Sequence, residues 1–187
     1  MPNWCSNRIV ITGPEEEVER LIEVVKGEES SFDFHRILPR PEILELDRPS
    51  EKEKEAAIEQ TGFSGWYHWS VHNWGTKWNA CDPKFEVEVE SAVQKLARAV
   101  TKEGPQAIVR YDFDTAWSPS SPVIAKLSEM FPAVKIQHSY IEEGCFFSGL
   151  NHYERGMCTE ENLLQDDIYS LSDWHEGFRP EPEEDEE

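Results

Sequence analysis

Asn7-Arg8-Ile9-Val10-Ile11-Thr12-Gly13-Pro14-Glu15-Glu16-Glu17-Val18-Glu19-Arg20-Leu21-Ile22-Glu23-Val24-Val25 changes its period in the middle. The β-branched run Ile9-Val10-Ile11 reads as a buried strand, stopped by Gly13-Pro14. Beyond it, Val18, Leu21, Ile22 and Val25 recur at helical spacing, and Glu15, Glu16 and Glu17 complement a helix N-terminus. A strand feeding an amphipathic helix is the opening of a mixed α and β fold. Trp4 and Cys5 precede the strand closely and are expected to be buried with Ile9 and Ile11.

Further along, Phe32-Asp33-Phe34-His35-Arg36-Ile37-Leu38 alternates aromatics and ends at Pro39-Arg40-Pro41, which predicts a second strand leading into a surface excursion. Ser50 and Glu53 have capping-box spacing, and the following helix carries a thin stripe of Ala56, Ala57 and Ile58. Phe85, Val87 and Val89 alternate with Glu86, Glu88 and Glu90, a strand with its acids outward. A helix is expected over Ala92 to Val100, a strand from Ala107 to Thr115, and a helix over Val123 to Phe131. Val134 to Glu142 and Cys145 to Tyr153 read as a hairpin. Cys158 to Phe178 has apolar residues enough for one docked helix, and the prolines and six acids after Arg179 predict a disordered tail.

Between these elements, Trp66 to Asp82 holds four of the seven Trp and two of the six His. Indole offers a large apolar face with one N–H to satisfy, so this cluster, broken by Asn73, Gly75, Lys77 and Asn79, is either a polar-rimmed pocket or a polar piece of core. In the pocket reading Lys77 holds an anionic group between Trp74 and Trp78, and Asn73, Thr76 and Asn79 supply donors and acceptors. Thr115, Trp117 and Ser118 would complete the wall if their strand end lies alongside. In the packing reading the Trp seal a loop onto the sheet and the two Asn cap its turns. His68 and His72 share a helical face, yet no spacing recommends further ligands, so no metal is assigned. Cys81 beside Asp82 lies in acidic surroundings that raise a thiol pKa, and Ser118 and Ser148 lack a nucleophile-elbow sequence. No catalytic residue and no cofactor is therefore assigned, although an enzyme acting at the Trp/Lys site stays open as a third class.

Lys+Arg 18 against Asp+Glu 38 gives a formal charge of -20 over 187 residues. That charge opposes phosphate backbones and anionic membranes and favours solubility or a basic protein partner. Four scattered Cys without a CxxC pair, no leader and no apolar run of about 20 residues lead us to expect a cytoplasmic protein.

Four separated motifs, Met1-Pro-Asn-Trp-Cys-Ser-Asn7, Phe32 to Pro41, Asn73-Trp-Gly-Thr-Lys-Trp-Asn79 and Asp114-Thr-Ala-Trp-Ser-Pro119 with the Phe131-Pro132 stop, resemble the YubB-type ferredoxin-like proteins. That family is found on phages and plasmids and carries a domain without an established function. The stretch from Glu90 to Gln106 is longer than the family's usual connection, and Ser-Pro-Ser follows Trp117 where a second proline is commoner. The resemblance implies an α+β, ferredoxin-like βαββαβ sandwich over residues 1–155, with a Trp-rich helical insertion after the second strand within about 42–106. Residues 156–178 would form a C-terminal extension and 179–187 the acidic tail. It motivates an acidic interaction protein of a mobile element that engages a basic host protein in an anti-defence role. The alternative is a module binding a small anionic or aromatic ligand, or a nucleotide, at the Trp/Lys site.

Overall fold

The computed structural model describes residues 2–88 and 106–180. Strand β1 (Trp4–Pro14) leads directly into helix α1 (Glu15–Val25), and a short helix α2 (Phe34–Ile37) follows. Helices α3 (Glu51–Thr61) and α4 (Trp66–Asn73) come next, before β2 (Cys81–Glu88) and β3 (Gln106–Ala116). Helix α5 (Ser121–Met130), strands β4 (Lys135–Glu142), β5 (Phe147–Glu154) and β6 (Met157–Leu164), and a final turn α6 (Asp173–Glu176) complete the order.

The six strands form one sheet in the order β2-β3-β1-β4-β5-β6, every neighbouring pair antiparallel. Strand β1 is central, with Ile9 opposite both Tyr111 of β3 and His138 of β4. One face carries Ile9, Ile11, Val109, Tyr111, Phe113 and Ile136, all buried, and receives α1 through Val18, Leu21 and Val25 and α5 through Val123, Ile124 and Leu127. Each of these side chains contributes roughly 1.5–3 kcal/mol of transfer free energy. Helices α1 and α5 thus occupy one face of an antiparallel sheet, an α+β ferredoxin-like arrangement.

Several expectations need correction. The aromatic run at 32–38 is a helical turn, because Asp33 caps it by accepting from the His35 amide at 3.0 Å and Asn79 Oδ1 accepts from the Phe34 amide at 2.8 Å. Phe32 and Phe34 both enter the core, an outcome that period-2 reasoning mistakes for a strand. The Trp-rich helix α4 consequently precedes the second strand of the fold and does not follow it. Residues 157–164, expected within a helical extension, are the sixth strand, paired along β5. Trp4 is 42% exposed while Cys5, Ile9 and Ile11 are fully buried, since Trp4 opens β1 facing away from the helices. Arg179, placed in the tail, is tied to Asp167 at 3.0 Å and Glu176 at 2.7 Å. The capping box of α3 forms as read, with Ser50 and Glu53 satisfying each other's amides, and Gly62 ends the helix at φ 80°. The helix expected over 92–100 and the tail from 181 onward lie outside the described residues.

Candidate functional site

The loop that follows α4 crosses under the end of β3. Gly75 turns it at φ 78°, where a Cβ would stand 2.8 Å from the Pro119 carbonyl oxygen. Thr76 Oγ1 donates to the Ala116 carbonyl at 2.9 Å, and Ser118 Oγ donates to the Gly75 carbonyl at 2.5 Å. The 73–79 loop and the 115–118 strand end therefore lie together.

Most of the polar atoms singled out there are used inside the fold. Asn73 donates to the Trp69 carbonyl at 2.9 Å, closing the last turn of α4. Trp74 is 1% exposed, donates its indole N–H to the Leu38 carbonyl at 2.8 Å, and meets Phe34, Trp69 and His35 edge-on. Asn79 bonds Phe34, Ala80 and Asp33 with one amide. Thr115 donates to the Ser118 carbonyl and accepts from Asn7 Nδ2, both at 2.8 Å. These six residues, Thr76 and Ser118 included, act as a plug that fixes α2 and α4 to the sheet.

What remains open is an aromatic strip. Trp117, at φ 72° and donating its backbone N–H to the Asn3 carbonyl at 3.0 Å, is 47% exposed, and Trp4 is 42% exposed. The Trp78 ring lies 6.2 Å from that of Trp4, and Lys77 Nζ sits 4.3 Å from the Trp78 ring centre and 5.8 Å from that of Tyr67. Lys77 is thus a cation seated on indole, and it is not enclosed with an open coordination sphere.

Beside Trp78 a groove of about 390 Å³ opens, lined by His35, Arg40, Glu45, Asp47 and Trp66 among others. Trp74, Trp78 and Asn79, expected at the site from the sequence, also line it, whereas sequence reasoning passed over His35, Arg40 and Glu45, for which the arginine between two prolines at 39–41 was the visible signal. Arg40 lies over Trp74 at 5.0 Å and Trp66 at 5.5 Å, and Glu45 holds its guanidinium at 2.5 and 2.9 Å. A larger hollow of about 750 Å³ lies on the open sheet face among Arg8, Asp82, Asp112, Asp114 and Trp174. On its floor Asp112 clamps Arg8 at 2.7 and 3.1 Å, and the Arg8 guanidinium covers Trp174.

A second polar cluster lies within the core. Asn7 Nδ2 donates to Cys5 O and Thr115 Oγ1, so Asn7 Oδ1 is an acceptor and His138 Nε2, 3.0 Å away, carries the proton. Complete burial lowers the His138 pKa to about 3. Burial also lowers the pKa of His175, whose Nε2 donates to Tyr140 O and Gly149 O at 3.2 Å while Nδ1 accepts from Ser172 Oγ. Desolvation, followed by the nearby Asp82 and Asp114 carboxylates, raises the Cys81 thiol, which keeps it protonated and poorly nucleophilic. Among the described residues no three His, Cys, Asp or Glu side chains are placed to hold a metal, and no helix is long and apolar enough to cross a membrane.

Residues 99–181 match the model of the ferredoxin-like domain in Api92-like protein. The uncharacterized protein YubB of Escherichia coli (strain K12) is 34% identical over 108 residues, covering 53% of this chain. The chain spans 63% of the length of YubB in that match. The crystal structure of protein api92 from Yersinia pseudotuberculosis shares the fold, with a TM-score of 0.51 at 14% identity over 88% of this chain and 98% of that one. With α1 and α5 on one face of a six-stranded antiparallel sheet, the chain has a ferredoxin-like fold and is similar to YubB and, over residues 99–181, to the ferredoxin-like domain in Api92-like protein.

Proposed function

We propose that the protein is a non-enzymatic interaction module that binds a basic partner protein through the tryptophan strip at the end of its sheet. The observation that carries this reading is the partition of the Trp-rich region. Trp74, Thr76, Asn79, Thr115 and Ser118 are consumed internally, whereas Trp4 and Trp117 stay 42% and 47% exposed, with Trp78 beside Trp4. Exposed indole faces on a chain of formal charge -20 attract lysine and arginine side chains both by cation–π contact and by the general field. The Glu45 carboxylate beside Trp78 is taken up by Arg40, which favours binding over catalysis. The resemblance to plasmid- and phage-borne proteins motivates a host nucleic-acid-binding or defence protein as that partner. A mobile-element origin and an anti-defence role belong to the same proposal.

An arginine-rich peptide titrated into the full chain should quench tryptophan fluorescence, and an acidic peptide of equal length should not. Binding should weaken steeply from low to physiological ionic strength. Trp4→Ala with Trp117→Ala should reduce affinity roughly tenfold while changing stability by less than about 1 kcal/mol, since neither ring fills the core. Unaltered binding by a folded double variant would remove the strip from consideration.

A further inference from the structure

The groove beside the strip already contains one satisfied cation and still offers a free carboxylate and an aromatic wall. Arg40 is 13% exposed, sandwiched against Trp66 and Trp74, gripped twice by Glu45 and bonded through Nη1 to Ser70 Oγ at 2.9 Å. Arg40 and Glu45 therefore cancel. Asp47 stands exposed on the same rim with no hydrogen-bond or ion-pair partner among the described residues, so the lining keeps one net negative charge. Trp78 belongs to both the groove and the strip, and Lys77 shows its indole accepting a cation.

An anion entering here would have to displace Glu45 from a two-pronged grip, and it would then face Asp47 in the field of an acidic chain. An ammonium group is compact and holds its hydration strongly. A guanidinium is flat and weakly hydrated, stacks on indole, and presents a donor fork to a carboxylate. From this juxtaposition of Trp66, Trp78, Asp47 and the neutralised Arg40, we propose that the groove is a recognition site for a single arginine side chain of the partner protein. The proposal rests on the basic-partner reading and adds the residue that the partner must supply.

The test uses the full chain and three probes: N-acetyl-arginine amide, its citrulline counterpart, and phenyl phosphate. Indole N–H resonances report each tryptophan separately. The arginine probe should shift the Trp66 and Trp78 signals saturably, and citrulline, which keeps the shape and loses the charge, should bind roughly fivefold more weakly. Asp47→Asn should weaken the arginine probe roughly two- to fivefold, as expected of an exposed ion pair. Equal binding of citrulline, preference for phenyl phosphate, or no shift at Trp66 and Trp78 would each overturn the assignment. If the arginine-rich peptide engages Trp4 and Trp117 while the amide leaves the groove signals unmoved, the groove assignment fails and the strip stands. If the amide binds and the peptide does not, the strip reading fails instead.

Discussion

Gly149→Ala should cost about 3 kcal/mol or more, a larger penalty than one added methyl usually brings. Gly149 of β5 lies opposite Tyr140 of β4, and a Cβ built on it would stand 2.1 Å from Tyr140 Cζ and 2.2 Å from its hydroxyl oxygen. The tyrosine ring lies flat across the glycine. It cannot retreat easily, because it is 4% exposed and packs beside His138 and Phe147. The Gly149 and Tyr140 carbonyls also share the His175 donor, so moving either strand breaks a buried contact of α6. Thermal unfolding should report a fall of roughly 10 °C. In a Tyr140→Ala background the same change should cost less than about 1 kcal/mol, because the obstructing ring is gone. An equal penalty in both backgrounds would show that the ring is not the cause.

Acid should destabilise the fold through His138 well before the carboxylates titrate. Its folded-state pKa is depressed to about 3 by complete burial, against 6.5 for the free ring. The unfolded chain therefore binds the proton first as pH falls. Stability from the neutral ring is fully present above about 6.5 and is lost progressively from there toward about 3, at about 1.4 kcal/mol per pH unit. His175, lowered for the same reason, acts in the same direction. Between pH 6.5 and 5, His138 alone should remove about 2 kcal/mol. His138→Gln keeps a donor for Asn7 Oδ1 but cannot titrate, so its denaturant midpoint should decline less over this interval. Parallel pH profiles for wild type and variant would contradict the tautomer and burial assigned to His138.

Where residues obey a local rule, the sequence disclosed the structure. Ile9-Val10-Ile11 into Pro14, the Ser50–Glu53 box and the Val123 to Met130 stripe each encode their element within one or two turns. The failures were non-local. Phe32 and Phe34 alternate like a strand, but Phe34 opens a helical turn capped both by Asp33 and by Asn79, the latter over forty residues away. The segment at 157–164 is almost entirely exposed, so no buried face marks it as a strand, and only the free edge of β5 gives it a place. The candidate site divided in the same way. Composition singled out the Trp-rich window, yet which indoles are sealed and which stay open depends on partners such as Leu38 and Asn3, to which no short pattern points.

The central position of β1 also bears on how the protein is made. Of the strands in this sheet, the earliest synthesised is the one that needs two flanks, and those flanks are residues 106–116 and 135–142. Trp4 waits for Ala116, and Cys5 for both Thr115 and Glu142, so at ~5–20 residues per second the opening segment stays unpaired for several seconds of translation. Closing a pairing over so long a stretch of chain must precede any gain from the sheet, which makes folding slow and largely post-synthetic. During that interval Ile9, Val10 and Ile11 are open to capture by a chaperone, and yield in a heterologous host should depend on this delay more than on the stability of the finished fold.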